Sequence, residues 1–463
     1  MSRVELERSL GSWEAAAVVV GTIIGSGIFL VPKAMVLNVG TPGKVLLVWV
    51  AGGLLSLFGA LTYAELAAAL PHAGGEYVYL REAYGPLWSF IYGWTQFWVA
   101  KSGSIATLAT AFAYYLANFL PALDRILVRI PLPIGPKGGP LEISWGQLFA
   151  MGLILFLAGV NYFRVKLGGR LLAHVTALKV ALIVALVGAA AAFGGGSASN
   201  FQTATPAVGG VAGWVAAMVA VLWAYDGWNN LNMVSGEIRE PQRNVPRALI
   251  LGTLAVAALY LAANLAYFFV LSAAEVGSSN RVAAAMAAKF LGPAGSGVVA
   301  VAAMVSIFAA LHGSILSGGR VPFAMARDGY FFPAMGRLHP QHHTPHVSVL
   351  VLCCWSALLT LSGRYEELYT YVIFASWILY ALVTASVLVL RRKRPELARP
   401  YRTLGYPLVP IIFVLAAAFL VSVTLYNSPR ESAMGLVLVA AGLPFFTYWR
   451  RRRRFVPKLE QNC

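Results

Sequence analysis

The chain has 463 residues, of which 59% are hydrophobic and only 11% charged, with a mean hydropathy of +0.71. Apolar runs of about 18 or more residues recur along it, which excludes a soluble fold and gives a polytopic membrane protein. A formal net charge of +17 does not imply a nucleic-acid partner, because the basic residues alternate from loop to loop instead of forming one face. Three cysteines, Cys353, Cys354 and Cys463, provide no disulfide framework. The first apolar run has no small-residue cleavage site after it, so it reads as a retained helix and not a signal peptide.

The apolar runs predict twelve transmembrane helices in one polytopic domain. They lie at 11–36, 44–70, 86–119, 143–163, 171–194, 211–233, 247–271, 293–319, 347–362, 366–390, 405–426 and 433–449. An even number places both termini on one side. Twenty-four lysines and arginines then fall on the side of the termini; nine fall on the other, including Lys33, Lys137, Arg281, Arg364 and Arg430. This asymmetry predicts cytoplasmic termini. The runs Arg391-Arg392-Lys393-Arg394 and Arg450 to Arg454 read as anchors at an anionic leaflet.

In chain order, the first feature of interest is Gly21-Thr22-Ile23-Ile24-Gly25-Ser26-Gly27-Ile28-Phe29, in the middle of span one. Glycine costs about 1 kcal/mol relative to alanine inside a helix, so the Gly25/Gly27 pair favours an opening there. Opened backbone at that depth is tolerated only in a protein-lined cavity, where its free amides and carbonyls suit an amphoteric solute. The competing reading is a small-residue face for close helix packing. Residues His72 to Tyr84, between spans two and three, predict a short interfacial helix.

Span three carries Lys101, followed by Ser102-Gly103-Ser104, for which packing and a gating contact are both open. Lys179 stands in the middle of span five, in a run with no acidic residue. A lysine at the bilayer centre costs about 2.5–3.5 kcal/mol, so it should face the bundle interior. Carbonyls released at the first break are natural acceptors for its three donors. As a fixed charge it replaces a coupling cation; as a titratable amine it loads and releases a proton.

Span six reads Val221-Leu222-Trp223-Ala224-Tyr225-Asp226-Gly227-Trp228-Asn229-Asn230. Asp-Gly is a turn signal inside a membrane run. Asp226 either caps a half-helix or offers a counter-charge to a cationic substrate group; Trp223 and Tyr225 are candidate lid and wall aromatics or plain packing. Spans one and six are thus both interrupted, five spans apart. That spacing predicts an inverted repeat of five plus five helices, at 11–194 and 211–390, with spans eleven and twelve (405–449) outside it and a site between the breaks. The histidines His339, His342, His343 and His346, between spans eight and nine, form a weak metal candidate, since Pro340 and Pro345 break any helical ligand spacing. No phosphate-binding, hydrolase or zinc motif occurs, so neither an enzyme nor a cofactor is expected.

At this point the chain resembles a family. GTIIGSGIF in span one, WAYDGWNNLN and EPQRNVP in and after span six, Asn264 to Phe268, Gly313-Ser314, Arg327-Asp328-Gly329 and His339-Pro340 are similar to the L-amino acid transporters. These are a branch of the amino acid–polyamine–organocation superfamily, and the resemblance runs from about residue 11 to 450. It implies an all-α fold of twelve helices with helices one and six unwound, and sodium-independent exchange of amino acids. By resemblance, the substrate carboxylate meets amides around Ser26, Gly27 and Ile28, and its ammonium meets carbonyls of Ile23, Trp223, Ala224 and Asp226. Lys179 matches the lysine that stands where sodium sits in coupled relatives. Tyr267 matches a seventh-helix tyrosine of the same network, with Ser314 near it, and Lys101 a basic third-helix position.

The departures matter too. Animal relatives are linked to a heavy chain through a cysteine in loop 3–4; residues 120–142 have none, so a stand-alone, prokaryote-like protein without that partner is expected. Trp223 replaces a common phenylalanine, Asp226 a common glycine, and Val234-Ser235-Gly236-Glu237 the usual Val-Thr-Glu-Glu. The resulting expectation is a multi-pass transporter in the cytoplasmic membrane. Its helices one and six would rock against helices three, four, eight and nine to exchange small or medium neutral L-amino acids, with cationic substrates held open by Asp226. A proton-coupled or cationic amino acid symporter using Lys179 is the runner-up, and a receptor or enzyme lacks any supporting residues.

Overall fold

Short polar signals set the helix ends. Thr41 precedes a helix that begins with Pro42, and its hydroxyl accepts the Lys44 amide at 3.4 Å. Ser144 with Gln147, and Ser272 with Glu275, close reciprocal capping boxes. The protein is described by a computed structural model covering residues 6–131, 139–163, 165–362, 365–427 and 429–455. Lys137, Arg364 and Cys463 lie outside the described residues, as do the side chains of Arg430, Arg453 and Arg454.

The first apolar run divides into α1 (Ser12–Ile23) and α2 (Gly27–Val39), separated by Ile24-Gly25-Ser26. Helix α3 (Pro42–Ala69) leads to the short α4 (Glu76–Tyr84). The third run is α5 (Pro86–Thr95), a π-helical turn at Gln96–Ala100, and α6 (Lys101–Leu116). A hairpin of β1 (Ile126–Ile130) and β2 (Leu141–Ser144), antiparallel, precedes α7 (Trp145–Tyr162) and α8 (Val165–Phe193).

The second half begins with another divided run, α9 (Gly210–Tyr225) and α10 (Asn230–Met233), with residues 226–229 unwound between them. Then come α11 (Pro241–Val270), the short α12 (Ala273–Ser278) and α13 (Val282–Leu291), α14 (Ala294–Gly318) and α15 (Arg320–Arg327). Helices α16 (His346–Thr360), α17 (Tyr365–Lys393), α18 (Leu408–Asn427), α19 (Pro429–Ala440) and α20 (Gly442–Phe455) complete the order. By length and composition, eight helical stretches among the described residues can cross a membrane, and three shorter apolar helices accompany them. The fold is that of an all-α membrane protein. The β1–β2 hairpin and the α12–α13 pair have no counterpart in the sequence reading, which treated both segments as loops.

Packing places the broken helices at the centre. Helix α1 lies against α8, α11 and α14, while α2 lies against α9. The approach of α2 to α9 requires glycine: a Cβ built on Gly27 would lie 2.6 Å from Ala224 Cα. Gly227, with φ +109°, holds a backbone conformation that side chains resist, and its carbonyl accepts the Thr22 hydroxyl at 2.8 Å.

Charges cluster at the ends of the helices. Helix α4 forms where expected, but it is packed inward, with Glu76, Tyr77, Val78, Tyr79 and Leu80 buried. Arg391, expected as a leaflet anchor, instead forks onto the Glu65 carboxylate at 2.9 and 2.7 Å, and Arg394 reaches Glu82 at 2.8 Å. The basic run at the end of α17 therefore clamps the fold to itself through these two residues. The rings of His339, His342 and His346 gather around Tyr162, with centroids 5.2, 6.4 and 5.4 Å away. No group of three metal-ligating side chains occurs among the described residues.

Candidate functional site

The two breaks face each other across a cavity of about 20 Å³. That is room for roughly one water, so the site is nearly closed in this conformation. Of the residues singled out from sequence, Ile23, Ser26, Gly27, Trp223, Ala224, Asp226 and Ser314 line it. Gly25 and Gly227 of the two breaks line it as well, and Thr22, Ser104, Leu108 and Asn230, not assigned to the site from sequence, complete its walls. Ile28, Lys101, Lys179 and Tyr267 stand behind the lining.

Each break exposes backbone groups of opposite polarity. The first amides of α2 have no acceptor within the helix, apart from Phe29, whose N–H turns back to the Ser26 carbonyl at 3.1 Å. Amides at the start of a helix present partial positive charge, which suits a carboxylate. The carbonyls released by α1 are held from behind. Lys179 Nζ, fully buried, donates to the Gly21 and Ile24 carbonyls, both at 2.6 Å. The Ser306 hydroxyl lies 3.0 Å from the Ile24 carbonyl and 3.2 Å from that of Gly25. Tyr267 Oη donates to the Ile28 carbonyl at 3.4 Å.

The residue that ties the two breaks together is Tyr260 of α11. Its hydroxyl lies 3.0 Å from both the Ile23 and the Ala224 carbonyls, one from each broken helix. Sequence reading passed over it, as it did Ser306. A hydroxyl in an apolar helix carries no local signal, and these partners lie 237 and 282 positions away. Tyr260→Phe removes that shared donor, which is worth about 1 kcal/mol per neutral hydrogen bond. We expect a several-fold fall in substrate affinity with normal folding, read by isothermal titration in detergent; unchanged affinity would remove Tyr260 from the site.

Asp226 sits between the cap and counter-charge readings. It is the C-terminal cap residue of α9, and Asn229, not Asp226, precedes α10. Its carboxylate accepts the Tyr380 hydroxyl at 2.8 Å. Lys101, just after the π-helical turn, is electrostatically coupled to Asp226, and its Nζ donates to Asn230 Oδ1 at 2.5 Å. The aspartate therefore has compensation from the protein itself.

Comparison with known proteins identifies the family. The family model described as amino acid permease matches residues 10–445. The chain is 32% identical over 448 residues to the b(0,+)-type amino acid transporter 1 of Homo sapiens, covering 95% of this chain and 88% of that protein. It is 30% identical over 472 residues to the Asc-type amino acid transporter 1 of Mus musculus, covering 99% and 85%. It is 28% identical over 459 residues to the cystine/glutamate transporter of Homo sapiens, covering 98% and 88%. With matches of this extent to transporters, the chain belongs to the amino acid permease family, within the L-amino acid transporter branch of the amino acid–polyamine–organocation superfamily.

Proposed function

We propose that the protein is a sodium-independent exchanger of neutral L-amino acids that works by alternating access between two five-helix repeats, 11–194 and 211–390. The substrate carboxylate lies on the amides of Ser26, Gly27 and Ile28. Its ammonium lies among the carbonyls of Ile23, Trp223, Ala224 and Asp226, each carbonyl having two lone pairs and so room for a second donor. Ser314 and Trp223 bound the side-chain pocket, and Tyr267 and Lys101 hold the backbone and Asn230 behind it.

The observation that carries this reading is Lys179. Its ammonium donates to the Gly21 and Ile24 carbonyls at the end of α1, which supports a site that works without a bound sodium ion. The excess of lysine and arginine on the side of the termini supports a cytoplasmic location for both. A loop 3–4 without cysteine supports a protein that works without a disulfide-linked heavy chain.

Uptake of labelled alanine into proteoliposomes tests the proposal. It is expected to require an amino acid inside the vesicles and to ignore the sodium gradient. Uptake into empty vesicles driven by an inward proton gradient would replace exchange by symport. Asp226→Asn, which keeps an acceptor for Tyr380, is expected to leave alanine exchange within a small factor of wild type and not to change arginine uptake. A selective loss of arginine or lysine uptake in that variant would make Asp226 a counter-charge for cationic substrates.

A further inference from the structure

Three charged side chains neighbour one another at the second break: Glu76 on α4 and Lys101 on α6, both buried, and Asp226, which lines the cavity. The ammonium of Lys101 donates to Asn230 and acts electrostatically on both carboxylates, Asp226 and Glu76. Tyr63 of α3, Tyr79 of α4, Tyr92 of α5 and Tyr380 of α17 surround Glu76 and bring no positive charge.

Two other buried carboxylates collect several donors, charged ones among them. Glu65 takes two nitrogens of Arg391 and the Thr403 amide, and Glu237 takes two nitrogens of Arg320. Glu76, wholly buried, takes neutral donors, the Asn229 amide at 2.7 Å and more weakly the Tyr92 hydroxyl and a backbone amide, where Glu65 and Glu237 each take a guanidinium. An ionised carboxylate in such a place is far more costly than a neutral one.

We infer that Glu76 is a proton-binding site built into the transporter, occupied when α10 is seated as in this structure, and that substrate binding requires its proton. The coupling runs through two adjacent residues at the start of α10. Asn229 holds Glu76, and Asn230, a wall of the cavity, holds Lys101. With Glu76 neutral, Lys101 serves Asp226 and Asn230. Loss of the proton creates a second carboxylate that competes for the ammonium and draws it from Asn230, loosening the cavity wall. Burial, opposed by hydrogen bonds from the backbone, the Asn229 amide and the Tyr92 hydroxyl and by the charge of Lys101, pushes the Glu76 carboxyl up to about 7, which puts the change within the physiological range.

The transport arm of the test rests on the exchange reading; the spectroscopic arm does not. In wild-type protein reconstituted in lipid, infrared spectra at neutral pH are expected to contain a carboxylic acid C=O band that moves when glutamate is isotope-labelled at its side-chain carboxyl. The KM for alanine is expected to rise about tenfold per pH unit above the midpoint of that band, as it must when only the protonated form binds. Replacing sodium by choline leaves both curves in place. Glu76→Gln, which mimics the neutral acid, is expected to abolish the band and hold KM at its low value across the range. The inference is overturned if no glutamic acid band appears at any pH from mildly acid to mildly alkaline, if sodium shifts the curves, or if Glu76→Gln keeps the wild-type slope. If the wild type exchanges nothing at any pH, the exchange reading fails while the band still decides the proton site.

Discussion

Arg320→Ala is expected to destabilise the folded protein by about 3–5 kcal/mol, the range for breaking a buried ion pair and leaving one charge uncompensated. Arg320 and Glu237 are 1% and 0% exposed at their side chains, and the guanidinium forks onto the carboxylate at 2.7 and 3.0 Å. A third nitrogen donates to the Leu316 carbonyl. The pair fixes more than two side chains. The Glu237 carbonyl accepts the Leu10 amide at 3.0 Å and the Leu10 carbonyl accepts the Arg239 amide at 2.8 Å, so the segment before α1 is tied to the segment after α10. Both broken helices are thereby anchored to α15 at the same end. Arg320→Lys keeps the charge and loses the fork, and should recover only part of the loss. Replacing both partners by methionine should recover most of it, because buried pairs are often no better than apolar packing. Thermal unfolding in detergent measures all three; an alanine variant as stable as wild type would contradict the role given to this pair.

Lys179→Ala is expected to reduce exchange by about 100-fold or more while the protein still inserts and folds. Charge-assisted hydrogen bonds contribute about 1.5–3 kcal/mol each, and Lys179 makes two to the first break. Their combined loss, discounted for the desolvation of the amine, corresponds to at least two decades in the population of the seated break. The carbonyls of Gly21 and Ile24 then lose their charged partner, although Ser306 still reaches Ile24. Exchange measured separately on right-side-out and inside-out vesicles should fall on at least one face. Wild-type rates on both would end the cation-substitute reading of this lysine.

The contrast between these two residues marks what a single chain of letters conveys. Lys179 stood out because a lone charge in an apolar run has to be accounted for, and released carbonyls were the available acceptors. The breaks stood out because Gly25, Gly27 and Gly227 interrupt runs that otherwise propagate a helix, and the structure unwinds at 24–26 and 226–229. Arg320 did not stand out. In sequence it lies at the end of an apolar run and reads as one more loop charge, and its partner is 83 positions away. Tyr260 and Ser306 were silent for the same reason. Glu76 belonged to a stretch of glycines, aromatics and charges that predicted a short interfacial helix; only the inward packing of α4 turns it into a buried acid. The β1–β2 hairpin escaped notice because a short two-stranded ribbon between membrane spans leaves little periodicity.

A structure determined by electron cryomicroscopy in lipid nanodiscs with saturating alanine tests the central claim most directly. The account predicts ligand density in an enlarged cavity between the two breaks, its carboxylate on the amides of Ser26 to Ile28 and its ammonium toward the carbonyls of Ile23 and Ala224. Density for the amino acid elsewhere, or α1 and α2 wound into one uninterrupted helix through Ser26, would contradict it.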